Sequence, residues 1–257
     1  MPQVPRRTVL TATGIAAGQV ALGLPTAEGE ESESQTKQKL KVVVTGGHPD
    51  DPETGCGGTI ARYTQQDHEV VVLYLTRGEA GVKGKTHEEA AAIRTEECQR
   101  ACLILGAHPK FAGQIDSNTE VNLQRYEEFS ELLAEESPDL VFTHWPICEQ
   151  DHRETYMLTY QAWKYPKSKP FELYFYEVAS GQQTMHFWPT HYVDITSTEH
   201  RKRAAVYEHK SQNPEFLYSL HGPMNEFRGM ECGCKHAEAF VRLNRNRRPS
   251  LPMLGVS

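Results

Sequence analysis

The chain has 257 residues, 24% of them charged and 38% hydrophobic, and carries a formal net charge of −7. That length and hydrophobic share suffice for a buried core in one or two domains, and they exclude a collagen-like, coiled-coil or wholly disordered chain. No apolar run reaches the roughly 18–20 residues of a membrane-spanning helix. The acidic balance argues against a nucleic-acid partner held through its phosphates, and six cysteines are too few for a disulfide scaffold.

Residues 1–27 pair Arg6 and Arg7 with a following apolar, small-residue stretch that ends in Leu24-Pro25-Thr26-Ala27. This is the layout of a signal peptide. Arg6-Arg7 followed by Thr8-Val9-Leu10 resembles a twin-arginine export signal, which implies a periplasmic or extracellular protein with no transmembrane segment after signal removal. Residues 28–39 are polar and read as a disordered spacer. The folded body is expected as a single domain over 40–243, with a loose tail at 244–257.

Within the body, 40–45 (LKVVVT) reads as a buried strand ending in Gly46-Gly47, and 57–66 as a helix. A second strand is expected at 69–76, a long helix at 86–105 closed by Gly106, and a short strand at 109–112. A helix at 123–136, a strand at 138–143, a helix at 151–163 and a strand at 171–178 follow. The last expected elements are a short strand at 192–195 and a helix at 197–209 capped by Ser197. The segment 211–230 reads as a loop that shapes the pocket, as does 83–85. Strands alternating with helices predict an α/β fold, a Rossmann-like and largely parallel sheet with helices on both faces. Ligands in such sheets bind beyond the C-terminal ends of the strands.

Two strand ends carry chemistry. Gly46-Gly47-His48-Pro49-Asp50-Asp51 follows the first strand and offers three ligands or bases in four positions. Pro-Asp-Asp is also good turn chemistry. Two adjacent carboxylates point in different directions, so one can bind a metal while the other acts as a base. After the 138–143 strand come His144-Trp145-Pro146 and then Asp151-His152-Arg153, which supplies His152 as a further ligand. Two histidines and a carboxylate suit hydrolytic zinc chemistry. Cys56, Cys98 and Cys102 read as buried packing residues, and Cys232-Gly233-Cys234 is a close pair.

The run His48-Pro49-Asp50-Asp51, Gly55-Cys56-Gly57-Gly58-Thr59 and Leu75-Thr76-Arg77-Gly78-Glu79 resembles the PIG-L/LmbE-like N-acetylglucosaminyl deacetylases. The similarity continues through Ile93-Arg94-Thr95-Glu96-Glu97, Pro138-Asp139-Leu140-Val141 and Asp151-His152-Arg153, with late echoes at His209-Lys210-Ser211-Gln212 and Ala237-Glu238-Ala239-Phe240. The resemblance implies one Zn²⁺ per chain on His48, Asp51 and His152, with Asp50 as general base in removing an N-acetyl group from an amino-sugar conjugate. It also implies substrate contacts for Arg94 and Asp116. The chain departs from the family pattern at Glu149-Gln150-Asp151-His152, where relatives often have His-Pro-Asp-His, and at Pro52, where a Glu is usual. The proton donor to the leaving amine is therefore sought at His144 or Glu149, with His144 favoured and Glu149 turned to solvent. Two other readings remain at this stage. One is a phosphoesterase-like metallohydrolase, and the other is an inactive carbohydrate-binding member of the fold.

Overall fold

The computed structural model describes residues 39–178 and 181–243. The expected signal segment, the spacer up to residue 38 and the tail at 244–257 lie outside the described residues. The strands are β1 (Lys41–Gly46), β2 (Glu69–Tyr74), β3 (His108–Phe111), β4 (Leu140–His144), β5 (Glu172–Tyr176), β6 (His191–Asp194) and β7 (Ala237–Leu243). The helices are α1 (Asp51–Thr64), α2 (His87–Leu105), α3 (Leu123–Glu136), α4 (Gln150–Lys164), α5 (Glu199–Val206) and α6 (Pro214–Cys232).

The strands form one sheet in the order β3-β2-β1-β4-β5-β7-β6. Every pair from β3 to β5 is parallel. β7 runs antiparallel to both of its neighbours, β5 and β6. Val42, Val43 and Val44 of β1 are all buried, because both faces of the sheet are covered. Val42 and Val44 pack with Cys56 and Ile60 of α1, Cys98, Ala101 and Cys102 of α2, and Ala205 of α5. Val43 faces the other way, toward Phe129 and Leu133 of α3 and Leu158 of α4. From β1 the chain first adds strands on one side and then, with β4, on the other. A crevice opens at that switch point, between the C-terminal ends of β1 and β4.

Four expectations need correction. α1 begins at Asp51, not Gly57. The glycines there lie inside the helix and permit close packing: a Cβ on Gly55 would stand 2.3 Å from the Tyr176 ring. α5 is preceded by Thr198 rather than Ser197 as its cap residue. The segment 211–230 is not a loop, since nearly all of it belongs to α6, which starts with Pro214 at its first position, where the missing N–H costs nothing. Lastly, β7 was not expected as a strand at all.

β7 and α6 brace the site from behind. Glu238 of β7 accepts from the backbone N–H groups of Gly58 (2.9 Å) and Thr59 (2.7 Å) of α1, and from Lys202 Nζ of α5 (2.7 Å). Lys202 Nζ also donates to Asn225 Oδ1 of α6 at 2.9 Å. Burying this carboxylate and ammonium is tolerable because each is paired and further hydrogen-bonded.

Candidate metal centre and active site

The loop between β1 and α1 is clamped before it bears any ligand. Thr76, just past β2, donates its N–H to the Gly47 carbonyl at 3.1 Å and its Oγ1 to the same oxygen at 2.9 Å. Gly47 must lack a side chain, since a Cβ there would meet His152 Cδ2 at 2.7 Å. Asp50 takes φ 117, a strained value for a residue with a side chain. Several contacts hold it. Glu53 Oε2 accepts from the Asp50 N–H at 3.2 Å, Thr54 Oγ1 donates to its carbonyl at 2.9 Å, and Arg94 donates to the Pro49 carbonyl. Glu53 is fully buried, with Tyr74 Oη donating to it at 2.5 Å and His209 Nε2 3.3 Å away. The Asp-x-x-Glu spacing of a capping box was the signal that could have singled out Glu53.

His48 from this loop and Asp51 from the first turn of α1 meet His152 from the first turn of α4. Their ligand atoms all lie within 4.8 Å of one another. The remote nitrogen of each histidine is already engaged. His48 Nε2 stands 2.9 Å from Asp151 Oδ2 and 3.3 Å from Asp116 Oδ1, and His152 Nδ1 stands 2.7 Å from Gln183 Oε1. These oxygens are acceptors, so both remote nitrogens carry the proton. The lone pairs of His48 Nδ1 and His152 Nε2 then face each other across 3.2 Å, at 3.3 and 3.0 Å from Asp51 Oδ2. Three electron-rich atoms in this arrangement repel unless a cation or a proton lies between them. Outer partners that fix the tautomer are what metal-ligating histidines have. The donor set therefore fits a divalent cation of the zinc type.

With no cation between them, the two histidines are drawn to protons instead. Burial alone would lower the pKa of His48, yet the hydrogen bonds to Asp116, Asp151 and Asp51 hold it well above its ordinary value. Burial would raise Asp51, but the adjacent His152 and His144 hold it well below the carboxylate range. Asp50 is pushed up to about 6, chiefly by burial, with Arg94 opposing and Asp51 reinforcing. Asp116 is held low: burial is outweighed by the hydrogen bond and charge of His48.

These groups line a cavity of about 340 Å³. Of the residues expected from the sequence, His48, Asp50, Asp51, Arg94, Asp116, Glu149 and His152 all line it. His144 does not. It lies buried behind His152, its ring stacked at 4.0 Å and 5° on that ligand. Its Nε2 accepts from the Gly47 N–H at 3.0 Å and is 3.2 Å from Tyr176 Oη. Its pKa falls to about 4, first through burial and then through the charge of His152. The proton-donor role expected of His144 does not fit this position. Glu149 is exposed at the mouth, with Gln183 Nε2 3.5 Å from its Oε1.

The segment 211–230 does shape the cavity, as expected, but as a helix and not as a loop. Phe216, Leu217, Leu220 and His221 of α6 line the cavity together with the carboxylates. His221 is lowered to about 3, mainly by burial and then by the charge of Lys202, and it hydrogen-bonds the backbone of Thr54. A lone histidine in a segment punctuated by Pro214, Gly222 and Pro223 gave no signal.

With this geometry in view, residues 43–163 match the PIG-L family, described as GlcNAc-PI de-N-acetylase. Over 197 residues the chain is 30% identical to the diacetylchitobiose deacetylase of Thermococcus kodakarensis, covering 71% of this chain and 74% of that protein. The chain belongs to the PIG-L family. Among solved structures, the N,N'-diacetylchitobiose deacetylase of Pyrococcus horikoshii superposes with a TM-score of 0.70 at 24% identity, over 79% of this chain and 84% of that one. GalB, the 4-carboxy-2-hydroxymuconate hydratase of Pseudomonas putida KT2440, superposes with a TM-score of 0.73 at 22% identity, over 82% and 99%. These two likenesses are of fold. The second shows the same scaffold in an enzyme described as a hydratase, so the architecture does not choose the reaction.

Proposed function

We propose that this chain is a zinc-dependent hydrolase that removes the acetyl group from an N-acetylglucosamine-type sugar. One observation carries the metal reading: two histidine lone pairs and a carboxylate oxygen converge with every outer partner already in place. Family membership supports the choice of amide hydrolysis. Zinc on His48, Asp51 and His152 would polarise the amide carbonyl and acidify water.

The remaining steps belong to the chain's own residues. Asp50 accepts a proton from the attacking water as oxygen adds to the amide carbon. The C–N bond then breaks, Asp50 returns the proton to the departing nitrogen, and acetate and a free amine result. Arg94 orients Asp50 from 3.4 Å, and Asp116 reaches the cavity beside His48 to meet sugar hydroxyls. Glu149 stands at the mouth, clear of the ligand set. The sequence of residues 1–27 supports export by a twin-arginine route.

The test is acetate release from N-acetylglucosamine conjugates, with metal content measured on the same sample. One equivalent of zinc and chelator-sensitive acetate release are expected. Turnover that persists in metal-free protein would remove the reading.

A further inference from the structure

The end of α6 holds two thiols that the cavity does not use. Cys232 is the last residue of the helix, Gly233 follows in the left-handed region at φ 83, and Cys234 comes next. Side chains two residues apart do not face each other on a helix, and along a strand they stand roughly 7 Å apart. Here the left-handed glycine turns the chain back on itself, and the two Sγ atoms lie 3.4 Å apart. The turn is pinned from behind: the N–H groups of Gly233 (2.8 Å) and Cys234 (2.9 Å) both donate to the Gly229 carbonyl. A Cβ on Gly233 would meet no atom within 4 Å, so its φ alone calls for glycine. His221, the last α6 residue of the cavity lining, lies about 16 Å back along the helix.

The six cysteines fall into two kinds. Cys56, Cys98 and Cys102 are buried, and burial pushes their thiols well up, as inert packing residues require. Cys148 is half-buried and is pushed up to about 12, again by burial. Cys232 is exposed and Cys234 half-buried beside it. We propose that Cys232 and Cys234 are a reversible dithiol/disulfide pair, a site of exchange with small disulfides of the glutathione type. A bond between them strands no polar group. Cys234 Sγ donates to the His236 carbonyl at 3.3 Å, and that oxygen keeps the Ile195 N–H at 2.9 Å once the thiol proton is gone. The closed ring spans only three residues, which takes little freedom from the unfolded chain, so the bond is no structural staple. A small ring with one sulfur at the surface is readily reduced, which suits exchange.

The exposed Cys232 attacks first. Its thiolate takes one sulfur of the small disulfide, a mixed disulfide forms, and the other half leaves as a thiolate that picks up a proton. Cys234 then loses its proton and attacks the Cys232 sulfur across the turn. The Cys232–Cys234 bond forms and the second half of the reagent leaves as a thiol. Two protein thiols are oxidised and one small disulfide is reduced to two thiols. An excess of small thiol runs the same steps backward.

The experiment holds the full chain at a series of oxidised-to-reduced glutathione ratios, quenches with a maleimide, and reads intact mass and tryptic peptides. Two of the six thiols should disappear together, with a loss of two hydrogen atoms, and both should map to the peptide 229–235, which carries Cys232, Cys234 and no other cysteine. Dithiothreitol should restore them. Cys234→Ser should stop with one glutathione on Cys232. Cys232→Ser should add glutathione to Cys234 at least about tenfold more slowly, since that sulfur is less accessible. Six alkylatable thiols at every ratio would overturn the proposal. So would a disulfide that joins two chains, one that uses Cys148, or a stable glutathione adduct on Cys232 of the unmutated chain. Equal rates in the two serine variants would overturn the assignment of Cys232 as the attacking sulfur.

Discussion

Arg94 Nη2 lies 3.4 Å from Asp50 Oδ1 and the same nitrogen donates to the Pro49 carbonyl, so one guanidinium fixes both the carboxylate and the strained backbone that carries it. Two glycines make room for it: a Cβ on Gly78 or on Gly81 would stand 2.3 Å from Arg94 Nη1. Arg94→Gln should therefore lower kcat by roughly 10–100-fold, the scale of a misplaced catalytic group, while metal content stays at one per chain. Gly78→Ala should reproduce the defect by displacing Arg94, made worse by the glycine's φ of +71. Full turnover in either variant would show that Asp50 keeps its position without this contact.

Metal and base should separate. His48→Ala and His152→Ala should each lose bound metal together with activity. Asp50→Asn should retain the metal and lose about 10²–10⁴-fold in turnover, the usual contribution of a general base. Gln183→Ala removes the acceptor behind His152 and should weaken metal affinity by roughly 10–100-fold. Metal titration of the four variants, beside acetate assays, reads all of these. Stoichiometric metal in His48→Ala would count against the ligand set.

His144 should prove structural. His144→Ala leaves the buried Gly47 N–H without its acceptor and opens space behind His152. Loss of such a partner costs about 1–3 kcal/mol, visible as a lowered Tm. The pH dependence of kcat should keep its shape, because no proton in transit passes through this ring. A changed pH profile at undiminished Tm would restore His144 to the chemistry.

Acid stability should depend in part on Glu136. Burial would raise its pKa, but hydrogen bonds from Lys110 and Lys41 prevail and hold it below its ordinary value. A carboxylate lowered in the folded state stabilises the protein fully above its unfolded pKa of about 4.3, and that share is lost as pH falls below it. Glu136→Gln should therefore reduce stability near neutrality and flatten the decline between about pH 5 and pH 3. Urea midpoints across that range would show it. Parallel curves for the two proteins would argue against the linkage.

Export should require both arginines of the leading segment. Arg6→Lys combined with Arg7→Lys should leave the precursor inside the cell. Unimpaired export of that double variant would point to the general secretory route.

The central part of the fold was legible because local pattern and tertiary role coincide there. The valine run of β1 is buried on both faces, and the residues after it fall where a doubly wound sheet opens. The convergence of His48, Asp51 and His152 was legible for the same reason: they sit at two strand ends. Position along the chain did not reveal depth, however. His144 ends β4 within reach of Asp51, and only the packing of α4 puts His152 in front of it. That the pocket-shaping segment 211–230 is helical was hidden by its own composition. Pro214, Gly222, Pro223 and Gly229 read as breaks, yet Pro214 starts the helix. Gly229 is needed where Cβ would meet the Lys235 carbonyl at 2.7 Å. Tertiary packing overrode local preference along that stretch.

The bond from Gly58 to Glu238 joins residues 180 positions apart. The candidate ligands His48 and Asp51 leave the ribosome long before the strand that ties α1 in place. A chain truncated before Ala237 would carry every donor atom and yet lack the clasp that sets their spacing. Loading of the proposed metal would in this way wait on β7, and a fragment without that strand would offer the cation a looser set of side chains.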